Sequence, residues 1–263
     1  MRLLFLGDII GRVGRKALSI SLPALKERMQ PDLIIANAEN AAHGKGLTPR
    51  IAEELWDAGI HVLTLGNHSF DKKDILPLLD DPRVIRPANY PIAVPGHGSG
   101  VFSTKSGIPV GVIQLMGRVY MPQTDCPFQK ADAILKEMAP QAKMIFVDMH
   151  AEITSEKAAM GWYLDGRVSA VIGSHTHIQT ADERLFPNGT AFLTDVGACG
   201  PHNSIIGMDV RTAMNRFLTG IISPMVIAEG DAVICGCLID IDERTGRANS
   251  IARVRESVPV PPL

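Results

Sequence analysis

The sequence predicts an α/β fold in which helices cover a largely parallel sheet, and three observations lead there. Short apolar runs recur along the first three quarters of the chain, segments with helical spacing separate them, and within each run the hydrophobicity is continuous. Continuous runs suit strands buried on both faces, and strand alternating with helix is the pattern of parallel, layered folds. A length of 263 residues permits one large domain or two small ones. No internal repeat or low-complexity linker divides the chain, so a single domain over 1–263 is expected, with 258–263 as a loose tail.

In chain order, Leu3–Leu6 is the first predicted strand, followed by a helix over Lys16–Met29 with a kink at Pro23. The strand Leu33–Ala36 precedes a helix over Pro49–Ala58, and His61–Leu65 precedes a helix over Lys72–Leu79. The runs Pro109–Leu115 and Met144–Val147 flank a helix over Ala131–Met138. A helix over Glu156–Leu164 leads into the strands Ala170–Ile172 and Ala191–Leu193. From about Pro224 the pattern changes: MVIAEGDAVICGCLIDIDERTGRANSIARVRES places Gly-Asp and Thr-Gly turns between β-like runs with no helix between them. This predicts antiparallel strands closing a second sheet against the first.

Composition narrows the class. With 46% hydrophobic and 21% charged residues the chain is ordinary for a globular protein. Lys and Arg number 26 against 28 Asp and Glu, a net charge of −2. That balance offers no basic stripe for stable nucleic-acid binding and favours a small phosphorylated substrate, although a local basic patch can hide in a neutral total. The four cysteines, Cys126, Cys199, Cys235 and Cys237, lack C-x-x-C spacing and read as reduced thiols packed as small hydrophobes. The N-terminal MRLLFLGDIIGR is interrupted by Asp8 and has no cleavage site, and no window approaches ~18 unbroken apolar residues. A cytoplasmic location without membrane attachment is expected.

Function is written where the strands end. Leu3–Leu6 runs into Gly7-Asp8, Leu33–Ala36 into Asn37-Ala38-Glu39-Asn40, and His61–Leu65 into Gly66-Asn67-His68. Met144–Val147 runs into Asp148-Met149-His150, and Ala170–Ile172 into Gly173-Ser174-His175-Thr176-His177. Carboxyl ends of strands form the ligand crevice of open α/β sheets. Singly, such residues serve as helix caps and turns. Together, imidazole, carboxylate and amide groups suit divalent first-row metals, and they outnumber the ligands of one tetrahedral ion. A pair of ions sharing one carboxylate is the expected arrangement.

Gly7-Asp8, Gly66-Asn67-His68, a strand-terminal His150 and the H-x-H at 175–177 resemble the calcineurin-like metallophosphoesterase superfamily. The stretches IANAENAAHGKG, LGNHSFDKK, LMGRVYM and DMHAEITSEKAAMGWYLDGRVSAVIGSHTHIQTADERLFPNGTAFLTDVGACGPHNSIIGM resemble the bacterial YmdB-like family more specifically, over most of residues 3 to 208. The resemblance implies a four-layer αββα sandwich of the metallo-dependent phosphatase type and 2′,3′-cyclic-nucleotide 2′-phosphodiesterase activity. It assigns Asp8, Asn40 and His177 to one metal, and Asn67, His150 and His175 to a second, with Glu39 bridging both and His68 as proton donor. It favours iron, with manganese or zinc as substitutes, and a homo-oligomer. Two such cations would stabilise phosphoryl oxygens and acidify a bridging water that attacks phosphorus.

The sequence departs from the superfamily at three points. Ile10 stands where the GD-x-H motif has histidine, Ala38-Glu39-Asn40 replaces GD-x-x-D-R, and Ser174 is inserted into G-H-x-H. Asn40 can supply the amide oxygen that compensates for Ile10. Other features read as structural: Gly11, Gly14 and Gly44-Lys45-Gly46 as tight turns, His43 and His202 as rim residues, His61 and His97 as loop or strand residues, and Met160-Gly161-Trp162-Tyr163 as packing. The irregular segment Arg118–Phe128 is a candidate cover for the substrate. Two alternatives stay open: another small-substrate phosphoesterase, such as a nucleotidase or phosphatase, and a metal-stabilised regulatory protein with little catalysis.

Overall fold

A computed structural model describes residues 1–222 and 224–261. The chain begins with β1 (Arg2–Leu6), β2 (Asp8–Ile9), α1 (Gly11–Met29), β3 (Leu33–Asn37), α2 (Pro49–Asp57), β4 (Val62–Thr64), a 3-10 helix (Lys73–Asp80) and β5 (Val84–Ile85). It continues through β6 (Ser99–Ser103), β7 (Pro109–Met116), α3 (Pro127–Met138), β8 (Met144–His150), α4 (Thr154–Tyr163), β9 (Ala170–Ser174), β10 (Arg184–Leu185) and β11 (Ala191–Leu193). It returns through β12 (Ala198–Pro201), α5 (Val210–Thr219), β13 (Ala232–Ile241) and β14 (Ala248–Val258).

Two sheets result, one ordered β2-β12-β13-β1-β3-β4-β5 with β14 beside β13, the other β10-β11-β9-β8-β7-β6. The neighbours β1, β3, β4 and β5 are parallel, as are β7, β8, β9 and β11. Successive residues of β1 face opposite ways, and each way is covered. Leu4 and Leu6 join Ile34 of β3 and Leu18, Leu22 and Leu25 of α1 on the outer face. Leu3 and Phe5 meet Val110, Val112 and Phe146 between the sheets, where the Phe5 and Phe146 rings lie 4.8 Å apart. Beyond the second sheet, Val147 and Met149 pack on Leu135 of α3 and Met160 of α4. The order helix, sheet, sheet, helix is the expected four-layer αββα sandwich, and burial on both faces explains the unbroken apolar runs.

One expectation is corrected. The C-terminal hairpin β13–β14 is antiparallel, but it builds no second sheet: β13 enters the first sheet beside β1, with Phe5 opposite Cys237. The reason is its two apolar faces, Ile234 turned to the helix side and Cys237 and Ile239 to the inter-sheet core. Strand β14 ends at Val258, which pairs with Ala232, and Val260 is buried. Pro262 and Leu263 of the expected tail lie outside the described residues. Pro23 lies within the continuous helix α1. Cys199, Cys235 and Cys237 are buried free thiols, and Cys126 is half-buried. Among the described residues, no helix is long and apolar enough to cross a membrane.

Candidate metal centre

Seven of the eight candidate positions sit at the carboxyl ends of strands or on the loops that follow, and Asp8, two residues past the end of β1, opens β2. After β1 the chain passes so close to Gly197 that a Cβ on Gly7 would collide with the Gly197 carbonyl, so glycine is needed there. Asp8 follows, fully buried, its Oδ2 accepting the His175 backbone N–H at 3.2 Å. After β3, the Asn37 side-chain oxygen accepts the Glu39 N–H at 3.0 Å and fixes the turn. Asn40 donates its Nδ2 to the Gly44 carbonyl at 2.9 Å, which leaves its Oδ1 as the free end. Glu39 is fully buried, and its Oε2 accepts the His68 backbone N–H at 3.0 Å.

His150, the last residue of β8, is where four groups meet. Its Nε2 lies 3.0 Å from Asn67 Oδ1, 3.0 Å from Glu39 Oε1 and 3.1 Å from His175 Nδ1. Glu39, His150 and His175 each offer a ligand atom, and those atoms lie within 4.8 Å of one another. Asp8 and His177 stand outside that trio. His177 adopts a left-handed φ of 64° and its Nδ1 lies 3.0 Å from the Ile206 carbonyl; His175 has φ 98°. Left-handed backbone at both histidines of the H-x-H is strain of the kind held at functional sites.

The surroundings hold these groups in place. Thr64 donates to Asp148 Oδ2 at 2.7 Å and Ser174 donates to Asp148 Oδ1 at 2.5 Å, while His150 Nδ1 lies 2.9 Å from Ser174 Oγ. With Nδ1 engaged, Nε2 is the nitrogen of His150 that faces the other ligands, the usual way a histidine ligand is oriented. Lys157 and Asp195 form a fully buried ion pair at 2.7 Å. Asp195 also accepts the Thr176 N–H at 3.1 Å and the Thr176 hydroxyl at 2.7 Å, so the residue between the two histidines is pinned from below. His68 is partly exposed, and its Nδ1 lies 2.9 Å from Asp71 Oδ2. Glu39, Asn40, Lys45, His68, His175 and His177 line one open cavity of about 250 Å³.

Buried oxygens without donors test whether a cation fits. Asp8 Oδ1, Glu39 Oε1 and Asn40 Oδ1 are buried and have no hydrogen-bond partner. Glu39 Oε1 approaches His150 closely but without hydrogen-bond geometry. An unsatisfied buried acceptor costs about 1–3 kcal/mol, so three in one place require a compensating positive charge. In addition, a single imidazole nitrogen, with at most one proton, faces an amide oxygen, a carboxylate and a second imidazole. The donor set therefore fits metal ions. Charges within the site agree. Burial pushes the Asp8 carboxyl up to about 6, with His177 and His150 pulling against it. Burial also raises Glu39, but His150 and His68 outweigh it and hold the carboxyl at about 2. Burial disfavours charge on His150, yet Glu39, then Asp8, raise it to about 9. Burial and the neighbouring His150 push His175 down to about 3.

The YmdB-like protein family profile matches residues 4–254. The chain belongs to that family. A relative from Bacillus subtilis (strain 168), named 2′,3′-cyclic-nucleotide 2′-phosphodiesterase, is 48% identical over 255 residues, 97% of this chain and 96% of the relative. Two solved structures superpose with a TM-score of 0.93. One, from Thermus thermophilus and described as a hypothetical protein, is 42% identical and covers 98% of this chain and 100% of its own. The other, described as a novel phosphatase from Mycoplasma pneumoniae, is 33% identical and covers 99% and 95%.

In this YmdB-like chain several site residues escaped the sequence reading. Lys157, Asp195 and Thr64 carried no signal, because a lysine at helical spacing reads as solvent-facing. Glu152, whose Oε2 lies 2.9 Å from His175 Nε2, and Asp71 were overlooked beside stronger motifs, though both follow a histidine within three residues. Arg118–Phe128 does not line the metal cavity. Its near end is tied down instead, the Arg118 N–H donating to the Glu156 carboxylate at 3.0 Å. His202 lines a neighbouring cavity that shares His177 and Ile206 with the metal cavity. Trp162 stacks on Phe186 at 4.3 Å, as packing.

Proposed function

We propose that the chain is a dinuclear metal-dependent phosphodiesterase that opens 2′,3′-cyclic nucleotides to the 3′-phosphate. The observation that carries this reading is the trio of buried oxygens without hydrogen-bond partners on Asp8, Glu39 and Asn40, of which Glu39 is grouped with His150 and His175. The name of the Bacillus subtilis relative supports the substrate. In this reading Asp8, Asn40 and His177 would hold one ion, Asn67, His150 and His175 the other, with Glu39 shared between them. Bound there, the two cations would supply charge neutralisation for the phosphoryl oxygens and an acidified water. Iron is the proposed metal, since imidazole, carboxylate and amide ligands accept it, with manganese or zinc as substitutes.

The chain's own groups do the rest. The Asp148–Ser174–His150 chain keeps His150 Nε2 turned to its partners. Asp71 orients His68 through Nδ1 and leaves Nε2 to deliver a proton. The overall step adds water to phosphorus, breaks the bond to the ribose 2′ oxygen, and places a proton from His68 on that oxygen. Self-association, also proposed, would bury the apolar face of α5, where Phe217 and Leu218 are 76% and 77% exposed. A cytoplasmic location fits a nucleotide substrate.

The test compares turnover of 2′,3′-cyclic AMP, 3′,5′-cyclic AMP and a phosphomonoester under one metal condition. Preference for the 2′,3′-cyclic diester is expected; preference for the monoester would sink the reading.

A further inference from the structure

The net charge of −2 conceals a local excess of positive charge beside the metal centre. A cavity of about 640 Å³ at the start of α1 and α2 is lined by Arg12, Arg15, Lys16, Ser19, Arg50 and Glu54. Four cations face one carboxylate. Arg15 is neutralised, its Nε donating to Glu54 at 3.0 Å. Arg12, Lys16 and Arg50 are exposed and form no ion pair among the described residues. Helix α1 has no acidic residue in its first turn and no side-chain cap, so the positive end of its dipole adds to the same field.

This cavity is joined to the metal centre by one loop. The Gly11 N–H donates to the Asn40 carbonyl at 2.9 Å, and Arg15 Nη1 donates to the Ala41 carbonyl at 2.6 Å. Arg12 also lines a second cavity, of about 490 Å³, together with Val13, His43, Ile227 and one carboxylate, Glu229. The two residues after His43, Gly44 and Lys45, line the metal cavity itself. The chain segment His43-Gly44-Lys45 thus borders both the metal cavity and the second cavity, and Arg12 borders both the second cavity and the basic one.

A cyclic mononucleotide has a single phosphate, and the metal centre takes it. Such a substrate leaves the second group of cations without a counter-charge. A ligand with further phosphates in series, covalently joined to the reacting one, uses both. A 2′,3′-cyclic phosphate is also the end left on RNA when a 2′ hydroxyl attacks the adjacent phosphodiester. We propose that the substrate class is an oligoribonucleotide ending in a 2′,3′-cyclic phosphate, its upstream phosphates running past His43 to Arg12, Lys16 and Arg50. This rests on the metal centre being a 2′,3′-cyclic phosphodiesterase. The chemistry is unchanged: water adds to phosphorus, the bond to the 2′ oxygen breaks, that oxygen gains a proton, and the oligonucleotide keeps a 3′-phosphate.

The experiment measures kcat/KM of the metal-loaded enzyme on 2′,3′-cyclic AMP and on a hexaribonucleotide with a cyclic-phosphate end. It does so at about 50 and 200 mM salt, for wild type and for Arg12→Ser/Lys16→Ser/Arg50→Ser. The ratio of the two rates within each sample cancels any loss of folded protein. At the lower salt wild type should favour the hexamer about 20-fold or more, and at the higher salt the loss of three phosphate contacts on a single strand should reduce that preference by about 20-fold. The triple variant should lose both the preference and its salt dependence. If wild type turns over cyclic AMP without favouring the hexamer, or the triple variant keeps the preference, the proposal fails while the metal-centre reading stands. If neither substrate is hydrolysed, both fall.

Discussion

Replacing Lys157 by methionine perturbs the site from beneath without touching a candidate ligand. Lys157 and Asp195 are 0% and 1% exposed and meet at 2.7 Å. Removing one partner of a buried pair typically costs about 3–5 kcal/mol, because the other charge is stranded. Asp195 retains the Thr176 N–H, the Thr176 hydroxyl and the Gly197 N–H at 2.8 Å, which places the cost at the lower end, about 3 kcal/mol. For a chain of this size that corresponds to a fall in Tm of about 6–12 °C. Thermal unfolding of metal-stripped protein reads it free of ligand linkage. The double variant Lys157→Met/Asp195→Asn removes the stranded charge and keeps an acceptor for the backbone donors, so it should recover about 1–2 kcal/mol. Metal affinity should fall about 10–100-fold in the single variant, because Thr176 holds His175 and His177 in register. A single variant melting within about 2 °C of wild type would refute the reasoning, since no buried charge would then have been stranded.

Glu39→Ala removes the ligand assigned to both ions, and elemental analysis should find metal content collapsed; two tightly held ions would contradict the bridge. His68→Ala should lower kcat by about 10²–10⁴ with metal content near wild type, and full turnover would remove it as proton donor. Gly66→Ala drives a Cβ into His150 Nε2 and Glu39 Oε2; metal binding should be lost at a cost of about 1–3 kcal/mol in stability, and a variant with normal metal content would show that the ligands can shift aside. Cation uptake should release protons, since His150, raised to about 9, is protonated in metal-free protein at neutral pH and must give up that proton to ligate. Affinity should therefore fall as pH drops from about 9 towards 6, by titration calorimetry in two buffers; a flat profile would count against His150 as a ligand.

Much of this was legible because the fold buries strands on both faces. An apolar run that stops at Asp, Asn or His marks where a strand leaves the core, and all eight candidate positions follow that rule, from Asp8 after β1 to His177 after β9. Hydrophobic pattern does not say which strand neighbours which. The run 232–241 reads as β in either sheet, and only its contacts with β1 decide. Helix α5 buries Ala213 alone, so it has no core-facing stripe to read. Ser174 looked like an insertion in a histidine motif because its partner, Asp148, lies 26 residues away in sequence. Supporting contacts of that range leave no spacing to recognise.

The pairing of β1 with β13 has a consequence for how the protein is made. Arg2 to Leu6 are synthesised long before their antiparallel neighbour, Asp240 to Gly236. Between Asp8 and Ile241 lie roughly ten to fifty seconds of translation at about 5–20 residues per second. Throughout that interval an apolar strand keeps one edge unpaired, the state most prone to wrong pairing with another chain. Every candidate ligand has by then been made, but the strand that leads into the first of them is flanked on one side only. A nascent chain thus completes the scaffold of its candidate metal centre with residues outside the candidate ligand set, and a stop codon ahead of β13 should yield insoluble protein despite an intact set of candidates.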